Sequence, residues 1–417
     1  MKRIYLDYAA TTPVDPVVLA AMKPYFSEKY GNAGSLHSFG QEAMAAVDNS
    51  REKIAKAIGA DFREIIFTGS ATEANNLALR GIVKSFYKKY PRAKSRIIVS
   101  SIEHESVSRT AHDLGVDGVE IAYLPVNKDG LVDLKKIKTV LNKRTVLVSI
   151  MYANNEIGTV QPIVEINRLI SEFREQENKE SGRGIDCVYP LFHTDAAQAL
   201  QYLDCDVNKL GVDLMTLSAH KIYGPKGIGL LYQKDLGPAH KFLEPVIAGG
   251  GQEFGLRSGT ENVSLIVGFA KAVEIETRDK KQETRRIAGL RDYFWKQIKK
   301  IYPKAQLNGP DIKKFRINSE HSDVFVGSDR LPNNLNIYFP GHKAEDLLIK
   351  LDLAGITVSA GSACSARGNE PSHVLKACGF SLERIKSSLR ITLGRPTTKV
   401  EIDEAIARMR KIFVDTN

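Results

Sequence analysis

The chain has 417 residues, of which 43% are hydrophobic and 26% charged, with a formal net charge of +10. That length allows two domains, and the composition excludes a fibrous or wholly disordered chain. No apolar run approaches the roughly 20 residues that a membrane helix needs. Met1 to Asp7 meets an acid before a signal-peptide core could form, so a cytoplasmic setting is expected. Nucleic-acid binding rests on charge alone. The denser basic stretches, Lys84 to Arg96 and Arg278 to Lys304, mix cations with acids or apolar residues at helical spacing and read as solvated helix faces. Cys187, Cys205, Cys364 and Cys378 form no C-x-x-C pair and no zinc-like cluster. A reducing compartment fits, and no metal is expected.

In chain order, short β-branched runs end in small or polar residues. Ile65 to Phe67 leads to Thr68-Gly69-Ser70, and Ile97 to Val99 leads to Ser100-Ser101. Val146 to Ile150 leads to Tyr152-Ala153-Asn154-Asn155, Tyr189 to Phe192 to His193-Thr194-Asp195, and Leu214 to Leu217 to Ser218. Segments between them, such as Pro162 to Arg174, carry apolar residues at helical spacing. This alternation predicts an α/β fold with an open, mostly parallel sheet, and ligands of such sheets sit beyond the carboxyl ends of the strands.

Past about Gly268 the pattern changes. One long helix is expected from Val267 to Ile301, then short strands at Leu335 to Phe339 and Arg390 to Leu393, and helices at Ala344 to Leu353 and Lys399 to Phe413. This predicts a smaller α+β domain formed by residues 1–15 and 266–417, beside a large domain of residues 16–265. Gln176 to Ile185 and Asp311 to Arg330 read as polar, loop-like surface insertions.

Three strand ends carry candidate chemistry. Lys221 follows a buried-looking strand and precedes glycines that permit a tight turn; desolvation can make such a lysine an amine nucleophile toward an aldehyde. A solvated loop lysine has the same local sequence. Asp195 can keep a pyridinium nitrogen protonated, or simply cap the helix that Ala196-Ala197-Gln198 would begin. Thr68 to Asn75 forms a strand-to-helix turn whose free amides suit a phosphate, or a plain capped helix start. Cys364 lies in Ser359-Ala360-Gly361-Ser362-Ala363-Cys364-Ser365, where small residues predict an accessible, mobile thiol. The other three cysteines read as inert.

Together with Tyr5 to Pro13, Leu36 to Gly40, Glu103-His104, Asn154 to Gly158, Asp195 to Gln198, Arg257 to Thr260, Gly361 to Cys364 and Arg390 to Arg395, these stretches resemble the class V aminotransferase-like group of pyridoxal-phosphate (PLP) enzymes. Within it they are similar to cysteine desulfurases of the NifS/IscS type, over nearly the whole chain. The resemblance implies fold type I of the PLP-dependent transferases. It implies that Lys221 holds the cofactor aldehyde and later moves the Cα proton, that His104 stacks on the ring and assists, and that Asp195 pairs with the ring nitrogen. Gln198 and Asn155 would contact the ring's oxygen substituent and orient cofactor and substrate. Ala71 joins the cofactor-binding set, while Thr72, Ser218 and His220 would hold the phosphate, with Thr260 supplied by the second subunit of a homodimer. Arg390 would bind the substrate α-carboxylate through its planar fork, although a surface ion pair has the same residue type. Cys364 would take sulfur from L-cysteine as a persulfide, release L-alanine and pass the sulfur to an acceptor or iron–sulfur scaffold protein, for cluster assembly or tRNA thiolation. A selenocysteine lyase or other β-eliminating enzyme is the nearest alternative. A non-catalytic scaffold fits poorly with Lys221, Asp195, His104 and Cys364 all present.

Overall fold

The computed structural model describes residues 3–181, 188–237, 241–312, 330–361 and 371–414. Its strands are β1 (Ile4–Tyr5), β2 (Ile65–Thr68), β3 (Arg96–Ser100), β4 (Glu120–Leu124), β5 (Thr145–Ser149) and β6 (Leu191–Asp195), followed by β7 (Leu214–Ser218), β8 (Gly229–Gln233), β9 (Gln306–Leu307), β10 (Asn334–Tyr338), β11 (Ile356–Thr357) and β12 (Ser388–Thr392).

Among the described residues, seven strands form one sheet in the order β2-β8-β7-β6-β5-β3-β4. The neighbours from β7 to β4 pair in parallel, while β8 runs antiparallel to both β2 and β7. Every residue of β2, β5, β6 and β7 is buried, as expected for strands covered on both faces. Successive side chains enter opposite layers. Ile66, Ile97, Val99 and Leu231 pack with the inner faces of helices Ala71–Lys89 and Glu105–Val116. Ile65, Phe67, Ile98, Met215, Leu217 and Leu230 pack with helices Ser38–Ile58, Ile163–Ser181 and Val263–Arg278. The carboxyl ends of β2, β3, β5, β6 and β7 thereby share one edge.

A second, antiparallel sheet has the order β12-β10-β9. The chain start joins this part: β1 pairs in parallel with β11, and Asp7 bridges to Thr392. No helix among the described residues is long and apolar enough to cross a membrane.

Three expectations change. The single helix over Val267–Ile301 is two, Val263–Arg278 and Lys280–Ile301, parted at Asp279, whose backbone leaves the helical region (φ -122°, ψ 28°). The first of these packs along Ser38–Ile58 and Pro16–Met22. The stretch from Gln176 is not a loop where it begins, because helix Ile163–Ser181 runs on through it. Glu, Gln and Lys are sound helix formers, so polarity alone misread it. Arg330 is not a surface residue. It is 1% exposed, and its guanidinium donates to the carbonyls of Pro310 (2.7 Å) and Asn308.

Candidate active site

Lys221 ends a 3-10 turn directly after β7. Its Nζ donates to the carbonyls of Ala9 (2.7 Å) and Ala10 (2.8 Å), so the N-terminal stretch aims the amine. That stretch is laced to the lysine segment. The Thr12 amide donates to the His220 carbonyl (3.0 Å), the Tyr223 amide to Thr12 Oγ1 (2.8 Å), and Gln198 Nε2 to the Ala9 carbonyl (3.0 Å). Tyr223 adopts φ 61°, a left-handed conformation that costs a bulky residue energy and persists only when neighbours impose it. Lys221 opens on a cavity of about 210 Å³ that Ala71, Thr72, His104, Asn155, Asp195, Gln198, Ser218, His220 and Arg390 also line.

Asp195, the last residue of β6, is 6% exposed. Its Oδ1 accepts the Ala197 amide (3.0 Å) and its Oδ2 accepts Asn75 Nδ2 (2.8 Å). It therefore caps the following turn and faces the cavity at once. Asn75, fully buried, also donates to Ser106 Oγ (2.8 Å), which lies 2.8 Å from His104 Nδ1. The Ser106 amide donates to the same Nδ1 (3.2 Å) as His104 caps helix Glu105–Val116. Nδ1 is thus the acceptor, which places the proton of the neutral ring on Nε2. Burial pushes the His104 pKa down, and the Lys221 charge adds to this while Asp195 opposes it. The chain of contacts His104–Ser106–Asn75–Asp195 ties both cavity residues together through helices Glu105–Val116 and Ala71–Lys89.

Helix Ala71–Lys89 also begins at the cavity. Ser70 Oγ caps it by accepting the Glu73 amide (3.1 Å). The amides of Ala71 and Thr72 lie in the first turn, where the helix supplies no carbonyl and its dipole is positive. Ser218 and His220 face the same space. The His220 pKa is pushed down to about 3, first by burial and then by the charges of Lys221 and Lys226. Its ring is neutral there and its Nδ1 lies 3.1 Å from Thr11 Oγ1.

Arg390, on β12, is 1% exposed. Nη2 donates to Asp7 Oδ1 (2.8 Å) and Nη1 to the Asn155 carbonyl (3.0 Å), while the buried Nε has no partner among the described residues. The alternative of a surface ion pair does not hold, because the pair with Asp7 is buried at the cavity. Thr260 is exposed and lines a separate hollow with Tyr25 and Asn262, apart from the Lys221 of its own chain. Cys364 lies outside the described residues. Ser372 Oγ donates to Glu156 Oε2 (2.5 Å), one residue on from Asn155. Cys205 and Cys378 are buried, and burial pushes both thiols up to about 12.

A family described as aminotransferase class-V matches residues 4–405. The chain belongs to the aminotransferase class-V family. This class-V chain is 43% identical over 414 residues to the cysteine desulfurase IscS of Dictyoglomus turgidum, spanning 99% of this chain and 95% of that one. It is 40% identical over 412 residues to the cysteine desulfurase IscS of Clostridium botulinum, spanning 99% and 94%. A solved structure described as a NifS-like protein is 34% identical with a TM-score of 0.84, covering 99% of this chain and 100% of that chain. The fold is type I of the PLP-dependent transferases, as the sequence resemblance implied.

The class-V site also contains residues to which the sequence assigned no role. Asn75 and Ser106 join Asp195 to His104, and Asp7 holds Arg390. Asn75 carried a faint signal, since it lies one helical turn after Ala71 in the turn already singled out. Asp7 carried none, because nothing local pairs it with a residue 383 positions away.

Proposed function

We propose that this chain is a PLP-dependent cysteine desulfurase that takes sulfur from L-cysteine, releases L-alanine and holds the sulfur as a persulfide on Cys364. The observation carrying this reading is the convergence of Lys221, Asp195 and Arg390 on one cavity of a class-V chain. The residues fit the cofactor. The first-turn amides of Ala71 and Thr72, with Ser218 and His220, suit a phosphate. The Asp195 carboxylate suits a protonated ring nitrogen, and the neutral His104 ring suits an aromatic face. When bound, the cofactor supplies an electron sink next to the substrate Cα.

Lys221 would hold the aldehyde, and its amine is placed to take the substrate Cα proton and return it. His104, with its proton on Nε2, assists that transfer, and Gln198 and Asn155 orient cofactor and substrate. Arg390 takes the α-carboxylate. The Cys364 thiolate attacks the substrate sulfur: a sulfur–sulfur bond forms, the Cβ–S bond breaks with its electron pair left on carbon, and protonation there yields alanine. Thr260 acts across a homodimer at the partner's phosphate site. The persulfide then passes to an acceptor protein of iron–sulfur cluster assembly or tRNA thiolation in the cytoplasm.

The test is mass spectrometry after incubation with L-cysteine. A labile gain of one sulfur on the Cys364 peptide, with alanine in solution, is expected, and Cys364→Ser abolishes both. The purified protein should absorb in the visible, and Lys221→Ala should lose that band. Colourless protein that ignores added PLP would overturn the reading. Sulfide release undiminished in Cys364→Ser would redirect it to a β-eliminating lyase.

A further inference from the structure

We infer that Asp7 is a positioning residue that sets the site's selectivity for its substrate's carboxylate through Arg390. This inference rests on the assignment of Arg390 to that carboxylate. Residues 4–8 run beside the second sheet. The Thr392 amide donates to the Leu6 carbonyl (2.8 Å), the Ala9 amide donates to Thr392 Oγ1 (2.9 Å), and Tyr5 Oη donates to the carbonyls of Asp7 (3.0 Å) and Thr11 (3.1 Å). Arg390 lies two residues before Thr392, on the same side of β12. Asp7 and Arg390 therefore meet because the chain start is zipped onto the strand that carries the arginine.

The guanidinium has five N–H donors in one rigid plane. Asp7 Oδ1 takes one from Nη2 and the Asn155 carbonyl takes one from Nη1. These two anchors fix the plane at the edge of the cavity that Arg390 lines, while Nε is buried and without a partner among the described residues. A carboxylate arriving on that edge shares the cation with Asp7. Two anions around one guanidinium repel each other, and burial leaves little water to screen them. Asp7 thus acts in two ways: it orients the arginine, and its charge weakens the grip on a carboxylate that shares the guanidinium.

The two roles separate by substitution. Asp7→Asn keeps an oxygen at the same place and removes the charge; Asp7→Ala removes both. The readout is the dissociation constant of L-alanine for cofactor-loaded protein, followed by the visible spectrum, with cysteamine as a ligand lacking the carboxylate. For Asp7→Asn, L-alanine should bind about three- to tenfold tighter. For Asp7→Ala it should bind about tenfold weaker or worse as the guanidinium loses its orientation. Cysteamine should change less than twofold in both, a limit set at about the error of such titrations. If both variants shift L-alanine in the same direction, or Asp7→Asn stays within twofold of the parent or loses the cofactor band, the inference is wrong. Arg390→Ala separates the two levels. If it leaves L-alanine affinity intact, the carboxylate assignment itself fails; if it abolishes binding while Asp7→Asn changes nothing, only the role of Asp7 fails.

Discussion

Glu103 is wholly buried beside His104, and its Oε2 has no partner among the described residues. Burial pushes its pKa up to about 8, although the hydroxyl of Ser100 (2.5 Å) and the amide of Met151 (2.9 Å) both donate to Oε1 and oppose the rise. The folded chain therefore keeps a proton that the unfolded chain loses above its ordinary value of 4.5. Folded stability from this group is full below that value and declines as pH rises toward 8. Glu103→Gln, neutral throughout, should match the parent's melting temperature at pH 5 and exceed it at about pH 8.5. Melting below the parent at the higher pH would refute a protonated Glu103. His193 shows the opposite case. Buried between Ser149 and Thr216, its pKa is pushed down to about 4 by burial. It favours the folded state above its ordinary 6.5 and withdraws that support as pH falls toward 4. His193→Gln should therefore flatten the acid limb of a melting-temperature profile, and an unchanged limb would count against a buried neutral ring.

At the scale of elements, the approach of β8 to helix Ala71–Lys89 shapes the side of the cavity lined by Ser70, Ala71 and Thr72. Gly229 opens β8 opposite both Thr68 and Ser218. A Cβ there would stand 2.5 Å from the Ser70 carbonyl carbon and 2.6 Å from the Ala71 nitrogen. Both are backbone atoms, so relief requires moving the helix start or the strand. Gly229→Ala should cost about 2–3 kcal/mol of stability by denaturant titration. It should also weaken PLP binding by displacing the Ala71 and Thr72 amides. Parent-like values in both assays would mean the helix start is free to shift. The same junction shows what local pattern can reveal. The run Ile65-Ile66-Phe67 followed by Thr-Gly-Ser marked a strand entering a helix, whereas β4 and β8 went unread because neither ends in residues with evident chemistry. The break at Asp279 and the helical continuation past Gln176 also escaped, since helical spacing alone marks neither an interruption nor an end.

Across the whole molecule, Arg395 joins parts that are distant in sequence. Its guanidinium pairs with Asp15 (2.5 Å) and Glu276 (2.8 Å) and lies 4.3 Å over the Tyr223 ring, while its amide donates to Tyr223 Oη (2.5 Å). The end of β12, the chain start, helix Val263–Arg278 and the Lys221 segment thus meet at one side chain. Glu276, whose pKa burial raises to about 7, would lose its cation in Arg395→Ala. That variant should lose about 2 kcal/mol, less than a fully buried pair because the arginine is partly exposed. Its PLP affinity should fall as well, because the strained Tyr223 loses the cation over its ring and keeps only the bond from the backbone amide of residue 395. Stability lost with full PLP affinity would limit Arg395 to a structural tie.

What the sequence determined by itself is the set of chemical groups and the strand ends that present them. Lys221, Asp195 and the Thr68 turn each follow a short apolar run, and a sheet covered on both faces leaves only its carboxyl edge for polar work. The tertiary structure alone decided which partner each group keeps. Asp7 meets Arg390 across 383 positions, Asn75 ties Asp195 to Ser106, and Ala9 and Ala10 receive the Lys221 amine. Periodicity and capping signals act over a few residues, whereas these hydrogen bonds exist only once segments distant in sequence have packed together.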